Sequence, residues 1–125
     1  MISRRSIDER REDPRLENNI PVKICQDGGD IVTETQNVSR SGAYCRVNQY
    51  IEPMTKLKIH LLLSFSKNEK SVTKKISCEG VVVRSEPAPD NGKYHIAVFF
   101  SDITKRDAEC ITDYVDMYLK KEETV

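Results

Sequence analysis

A chain of 125 residues is one domain's worth, and folding at that length removes roughly two-thirds of the unfolded surface from water, enough for a single core. Charged residues make up 32% and hydrophobic ones 38%, which suits a soluble domain and excludes a disordered or membrane-inserted chain, since no apolar run approaches the ~20 residues of a membrane-spanning helix. Twenty basic and twenty acidic side chains cancel, which argues against long-range attraction to a nucleic-acid polymer, so any anion has to be gripped locally.

Residues 1–19 are crowded with five arginines and five acids and have almost no apolar periodicity, the composition of a flexible segment. Pro14 and Pro21 oppose a continuous helix out of it. The opening Met-Ile-Ser-Arg-Arg-Ser has charge but no apolar stretch behind it, so no secretory signal is expected and the cytoplasm is the default compartment. Residues 20–125 are expected to form the folded unit.

Ile20, Val22 and Ile24 alternate with Pro21, Lys23 and Cys25, the period-two pattern of a half-buried strand, and Asp27-Gly28-Gly29-Asp30 predicts the tight turn that ends it. A second strand starts near Ile31 and runs into Asn37, and Ala43, Cys45 and Val47 begin a third that Glu52-Pro53 breaks. Leu57, Ile59, Leu61, Leu63 and Phe65 form the clearest amphipathic strand in the chain. Lys67 to Lys75 reads as a polar connection. In the next strand Ile76 and Cys78 lie on one parity and Val81 and Val83 on the other. Either a bulge at Gly80 or burial of the Val81–Val83 run on both faces would reconcile them. Pro87 to Gly92 makes a loop, and Tyr94, Ile96, Val98 and Phe100 give the last strand.

Thr104 followed by Asp107 has the spacing of a helix N-cap and its third residue. Ala108, Ile111, Val115 and Leu119, with Tyr118 beside them, then define an apolar helical face, and Lys120 and Lys121 suit its C-terminal end. Short strands joined by hairpin-length turns, with no helices between them, predict a mainly β fold: a small six-stranded antiparallel β-barrel with a C-terminal α-helix.

Catalytic constellations are thin. His60 and His95 fall on the polar sides of their strands, with no Ser or Cys in a nucleophile-like turn nearby, and Gly28-Gly29 lacks the partners of a phosphate loop. No enzymatic activity, catalytic residue or cofactor is expected. Cys25, Cys45, Cys78 and Cys110 are far apart and form no Cys-x-x-Cys knuckle, so they read as reduced packing residues. A zinc site joining them to His60 or His95 would need the fold to gather distant ligands, and no metal site is expected.

Asn37-Val38-Ser39-Arg40-Ser41-Gly42 joins two of the strands. In an extended segment residues i and i+2 share a face, so Asn37 and Ser39 can meet one ligand together, and Gly42 lets the backbone turn or come close. The ordinary alternative is a hairpin with an Asx or Ser turn. Upstream, Arg11 and Arg15 stand four apart, with Arg10 directly before them. A guanidinium is a planar fork of donors that pairs bidentately with phosphate or with the O6 and N7 edge of guanine. The plain alternative is that these arginines neutralise Glu9, Glu12 and Asp13 at the surface.

Taken together, Arg11-Glu12-Asp13-Pro14-Arg15 and then Asn37-Val38-Ser39-Arg40-Ser41-Gly42, heading a small β domain with a terminal helix, resemble the PilZ family of bacterial cyclic-di-GMP receptors. That family's signature is Arg-x-x-x-Arg followed some twenty residues later by Asp/Asn-x-Ser-x-x-Gly. Cys78 to Arg84, the strand Tyr94 to Phe100 and the closing helix look like the family's later strands and tail, so the resemblance runs from about Glu9 to Leu119.

The resemblance implies that Arg11 and Arg15 hold the ligand's phosphates and guanine edges, that Asn37 and Ser39 hydrogen-bond a guanine, and that Gly42 keeps the turn open. Asn37 stands where the family often has Asp, and its amide oxygen accepts from guanine more weakly than a carboxylate. A basic residue such as Arg10 before the motif goes, in the family, with a stacked pair of ligand molecules. The expected function is a cyclic-di-GMP receptor that relays the messenger by ordering residues 1–19 and changing a surface for an unidentified effector protein. The rival is a PilZ-like protein-interaction adaptor with no working nucleotide site. A barrel that binds single-stranded nucleic acid would need aromatics interleaved with basic residues, and the chain has three Phe, five Tyr and no Trp.

Overall fold

Apolar side chains at alternate positions turn inward from Ile20 to Ile24 and from Ala43 to Val47, and with Ile31 and Val38 they build the first half of a sheet that closes on itself. The computed structural model describes residues 18–67, 69–89 and 92–123. Its strands are β1 (Pro21–Gln26), β2 (Gly29–Ser39), β3 (Gly42–Val47), β4 (Lys56–Lys67), β5 (Lys70–Pro87) and β6 (Tyr94–Asp102), followed by helix α1 (Lys105–Glu123). All pairings are antiparallel, in the cyclic order β1-β2-β3-β6-β5-β4, and β1 closes the barrel by pairing with β4. The expected β-barrel with a C-terminal helix is therefore the observed fold.

The core is filled by Val22, Ile24, Val38, Cys45, Ile59, Leu61, Leu63, Val82, Ile96 and Val98 from inside the barrel, and Ile111, Tyr114 and Val115 of α1 join it. Thr104 Oγ1 accepts the backbone N–H of Asp107 at 3.1 Å, so the predicted N-cap starts the helix. Gly28 and Gly29, with φ of 98° and 128°, make the β1–β2 turn where the sequence placed it.

Two expectations need correcting. Lys67 to Lys75 is not a connection: β4 and β5 stay paired out to Lys67↔Lys70, and Glu69 takes a left-handed φ of 66° beside the turn. From Lys70 to Lys75 every β5 side chain is exposed, so cross-strand pairing holds this arm without a hydrophobic period to announce it. Among the described residues β6 joins β5 only from Glu79 onward, so the outer part of the β4–β5 hairpin projects past the barrel.

The phase of β5 is resolved by a third route. Ile76, Cys78, Gly80 and Val82 all face inward on one unbroken parity, Val81 is half-buried and Val83 is 55% exposed. The Val81–Val83 run is thus not buried on both faces. Register slips against β6 do occur, between Glu79 and Gly80 and again between Val82 and Arg84, and the second leaves Val83 as the extra residue on β5.

The four cysteines are free thiols, with Cys45 and Cys78 buried and Cys25 and Cys110 half-buried. Burial pushes the Cys45 thiol from 9.0 up to about 12. The unfolded thiol ionises near 9 while the folded one keeps its proton, so above that pH the unfolded state binds fewer protons and stability falls. We expect urea unfolding to show a loss of about 1.4 kcal/mol per pH unit from this thiol between pH 9 and 12, and Cys45→Val to remove that share of the loss.

Candidate functional site

Thr35 is a buried polar residue at the place where β2 changes neighbours. On one side it continues the β1 ladder: its N–H donates to the Ile20 carbonyl at 2.9 Å, and its hydroxyl accepts the Ile20 N–H at 3.1 Å. The same hydroxyl donates to the Asn18 carbonyl at 2.8 Å, so both of its hydrogen-bonding roles are filled. On the other side it pairs with Cys45 of β3, and the register slips immediately afterwards, between Thr35 and Asn37. That slip sets Val38 fully inside the core and leaves Asn37 half-buried on the outer face.

From there the register lines up residues from four strands. Asn37 of β2 pairs with Tyr44 of β3, Tyr44 with Ala97 of β6, and Ala97 with Arg84 of β5. The neighbouring row is Ser39, Gly42, Phe99 and Val81. These rows floor a shallow groove of about 370 Å³, lined by Asn37, Ser41, Tyr44, Arg84, Ala97 and Phe99 with their neighbours. The small Ala97 leaves a dip between the Tyr44 ring and the Arg84 side chain. Tyr44 is also braced by His95, ring centroids 5.1 Å apart. A floor of mixed polarity, with the Tyr44 ring and Ala97 between an amide and a guanidinium, suits a flat heterocycle that carries donors and acceptors on its edge.

Gly42 acts through close approach. Its φ is not positive, but an added Cβ would run into the carbonyl oxygen of Val98. Of the two roles expected of it, turning the backbone or letting it come close, the second is the one seen: it lets β3 lie tight on β6. Ser39 is fully buried and lies under the groove. Its Oγ is 3.1 Å from Ser41 Oγ and accepts the Ser41 N–H at 3.3 Å, a Ser turn that presents Ser41 at the groove. Phe100 N–H donates to the Ser41 carbonyl at 2.9 Å and ties the turn to β6. The hairpin reading and the site reading thus describe the same atoms. Arg10, Arg11 and Arg15 lie outside the described residues.

A family model of the PilZ domain matches residues 9–117. The chain belongs to the PilZ domain family. Among solved structures it is similar to the inhibitor of motility MotI/DgrA of Bacillus subtilis, with a TM-score of 0.76 and 21% identity over 88% of this chain. The chain spans about half of that protein, 51% of its length. It is also similar to the PilZ domain of CeSA from a cellulose-synthesizing bacterium, with a TM-score of 0.53 and 16% identity over 84% of this chain and 97% of that one. Both are likenesses of fold. No curated protein matches the chain.

Several groove residues of this PilZ domain escape a reading along the chain. Tyr44, Ala97 and Arg84 sit on three different strands, and only the pairing register brings them beside Asn37. A larger groove of about 520 Å³ lies elsewhere on β2 and β3, but it holds no motif residue, and Asp30 and Glu34 line it against Arg46 and Lys93. His60 and Ser77 are cross-strand neighbours with Nδ1 and Oγ 2.8 Å apart, a contact the sequence did not foretell. Ser77 sits in mid-strand rather than on the sharp turn that exposes a nucleophile. Among the described residues no group of three or more His, Cys, Asp or Glu is placed to hold a metal, and no helix is long and apolar enough to cross a membrane.

Proposed function

We propose that this PilZ domain binds cyclic-di-GMP in the groove over Asn37, Tyr44 and Ala97, with Arg11 and Arg15 closing on it from the N-terminal side. The observation that carries this reading is the double use of Thr35, which holds Asn18 and sits in β2 two residues before Asn37, at the register slip that turns Asn37 outward. Two residues, Leu16 and Glu17, lie between Arg15 and Asn18, which puts the arginine motif next to that anchor in the sequence. Asn37 offers an amide to a guanine edge, Tyr44 and Phe99 offer apolar faces, and Ser39 holds Ser41 in place.

The ligand is a compact dianion. Charge-assisted bonds from arginine are each worth roughly 1.5–3 kcal/mol, enough to offset the ordering of a short segment. Closing of the arginine segment ahead of Asn18 over the bound ligand makes the surface that an effector protein in the cytoplasm reads. Arg10, next to the motif, favours a stacked pair of ligand molecules.

Titration calorimetry with cyclic-di-GMP tests the reading. Binding by the wild type, with a stoichiometry near two, and its collapse in Arg11→Ala and in Ser39→Ala support it. Unchanged binding in both variants removes the site, and no heat from the wild type makes the domain an interaction adaptor.

A further inference from the structure

The outer arm of β5 leaves one side of its backbone open. Val82 turns its polar groups toward the β4 side, where its carbonyl accepts the Met54 N–H at 2.6 Å and its own N–H donates to the Thr55 carbonyl at 3.0 Å. The β4–β5 register is unbroken from Lys56↔Val81 to Lys67↔Lys70. Residues in step with Val82, namely Cys78, Ile76, Lys74, Val72 and Lys70, therefore also face β4, and Ser71, Thr73, Lys75 and Ser77 aim their N–H and C=O groups the opposite way. β6 pairs with β5 only from Glu79 on, and among the described residues no other backbone bond reaches these four. All four are exposed, so the edge can be approached.

Charge selects what fits there. Residues 69–78 carry three lysines, Lys70, Lys74 and Lys75, against one acid, Glu69. The lysines are exposed, and Lys74 Nζ stands 5.5 Å from the centre of the Phe65 ring. Toward the barrel the sign reverses, since Glu79 pairs with Asp102 across β5 and β6, which confines the positive stretch to the arm. On one face Lys70, Val72 and Lys74 follow at two-residue steps, with Val72 49% exposed between the two charges. Nucleic acid would bring phosphate acceptors alone, whereas an extended peptide brings donors and acceptors in the alternation that a strand edge requires.

We propose that the edge from Ser71 to Ser77 is a docking site for an extended acidic segment of a partner protein, added as a strand beside β5, with carboxylates against Lys70 and Lys74 and an apolar side chain between them against Val72. The backbone supplies the pairing and the lysines supply the selection. This surface shares no residue with the groove over Tyr44 and does not depend on nucleotide.

The test is a capped peptide in which glutamate, valine and glutamate alternate with threonine, titrated into the full chain and followed by residue-resolved amide exchange. Binding should slow exchange at Ser71, Thr73, Lys75 and Ser77 and leave Val72, Lys74 and Ile76, already paired to β4, unchanged. Lys70→Glu combined with Lys74→Glu should weaken binding about tenfold, and a peptide with lysine in place of glutamate should restore it. Thr73→Pro removes an N–H that β4 does not use, so it should abolish binding while the circular dichroism stays that of the wild type. No binding, or binding without slowed exchange at the four edge amides, overturns the proposal. Slowing that appears with protein concentration alone would assign the edge to a second copy, and equal slowing by an oligonucleotide would assign the lysines to phosphate; either result also overturns it.

Discussion

Exchanging Arg11 or Arg15 for alanine should weaken cyclic-di-GMP binding about 10- to 100-fold while leaving the thermal unfolding midpoint almost unchanged. Each guanidinium contributes charge-assisted bonds of roughly 1.5–3 kcal/mol, and every 1.4 kcal/mol is about a factor of ten in affinity. Among the described residues the buried core begins at Ile20, and arginine is seldom a core residue, so little folding stability is expected to rest on these side chains. Lysine separates two explanations of the loss. It keeps the positive charge but not the planar fork, so Arg11→Lys should recover only a small part of the affinity if bidentate pairing is the main contribution. Full recovery by lysine would instead assign the arginines to general charge attraction, and binding would then fall steeply with added salt.

Gly42→Ala should be the most damaging small substitution in the barrel, costing about 3 kcal/mol of stability by overpacking. The added methyl would meet backbone, the Val98 carbonyl, which the β3–β6 pairing holds in place. Relief would require the two strands to separate, and they carry Tyr44, Ala97 and Phe99 of the groove, so ligand binding should fall with stability. Gly80→Ala is the control. Its Cβ would lie 2.7 Å from Val98 Cγ1 and 2.8 Å from Ile59 Cδ1, and both are side-chain ends that can shift. Denaturant unfolding should therefore rank Gly42→Ala well below Gly80→Ala, and the reverse order would refute the close-approach account.

The strands with an apolar period were legible because burial on one face imposes it: Leu57, Ile59, Leu61 and Leu63 are each at most 3% exposed. The outer β5 arm from Lys70 to Lys75 was not legible, since a two-sided solvated strand leaves no such imprint and is defined only by its partner. The same cause hid most of the groove. Asn37, Ser39 and Gly42 are close in sequence and could be read together, whereas Tyr44, Ala97 and Arg84 become neighbours only through register. Tyr114 escaped for a different reason. It lies three residues after Ile111, on the same buried face, and nothing in the helix itself shows that a hydroxyl there meets Asn18, 96 residues earlier.

The projecting β4–β5 hairpin also governs how copies of the chain behave at high concentration. Beyond the barrel, β5 pairs with β4 on one side only among the described residues, and such a rim is a template on which another strand can grow. Here Lys70, Lys74 and Lys75 are all exposed along it. Two copies meeting rim to rim bring lysine against lysine, so this arm carries its own deterrent to sheet-by-sheet polymerisation, and neutralising those lysines would leave the barrel intact while turning the hairpin into a nucleus for aggregation.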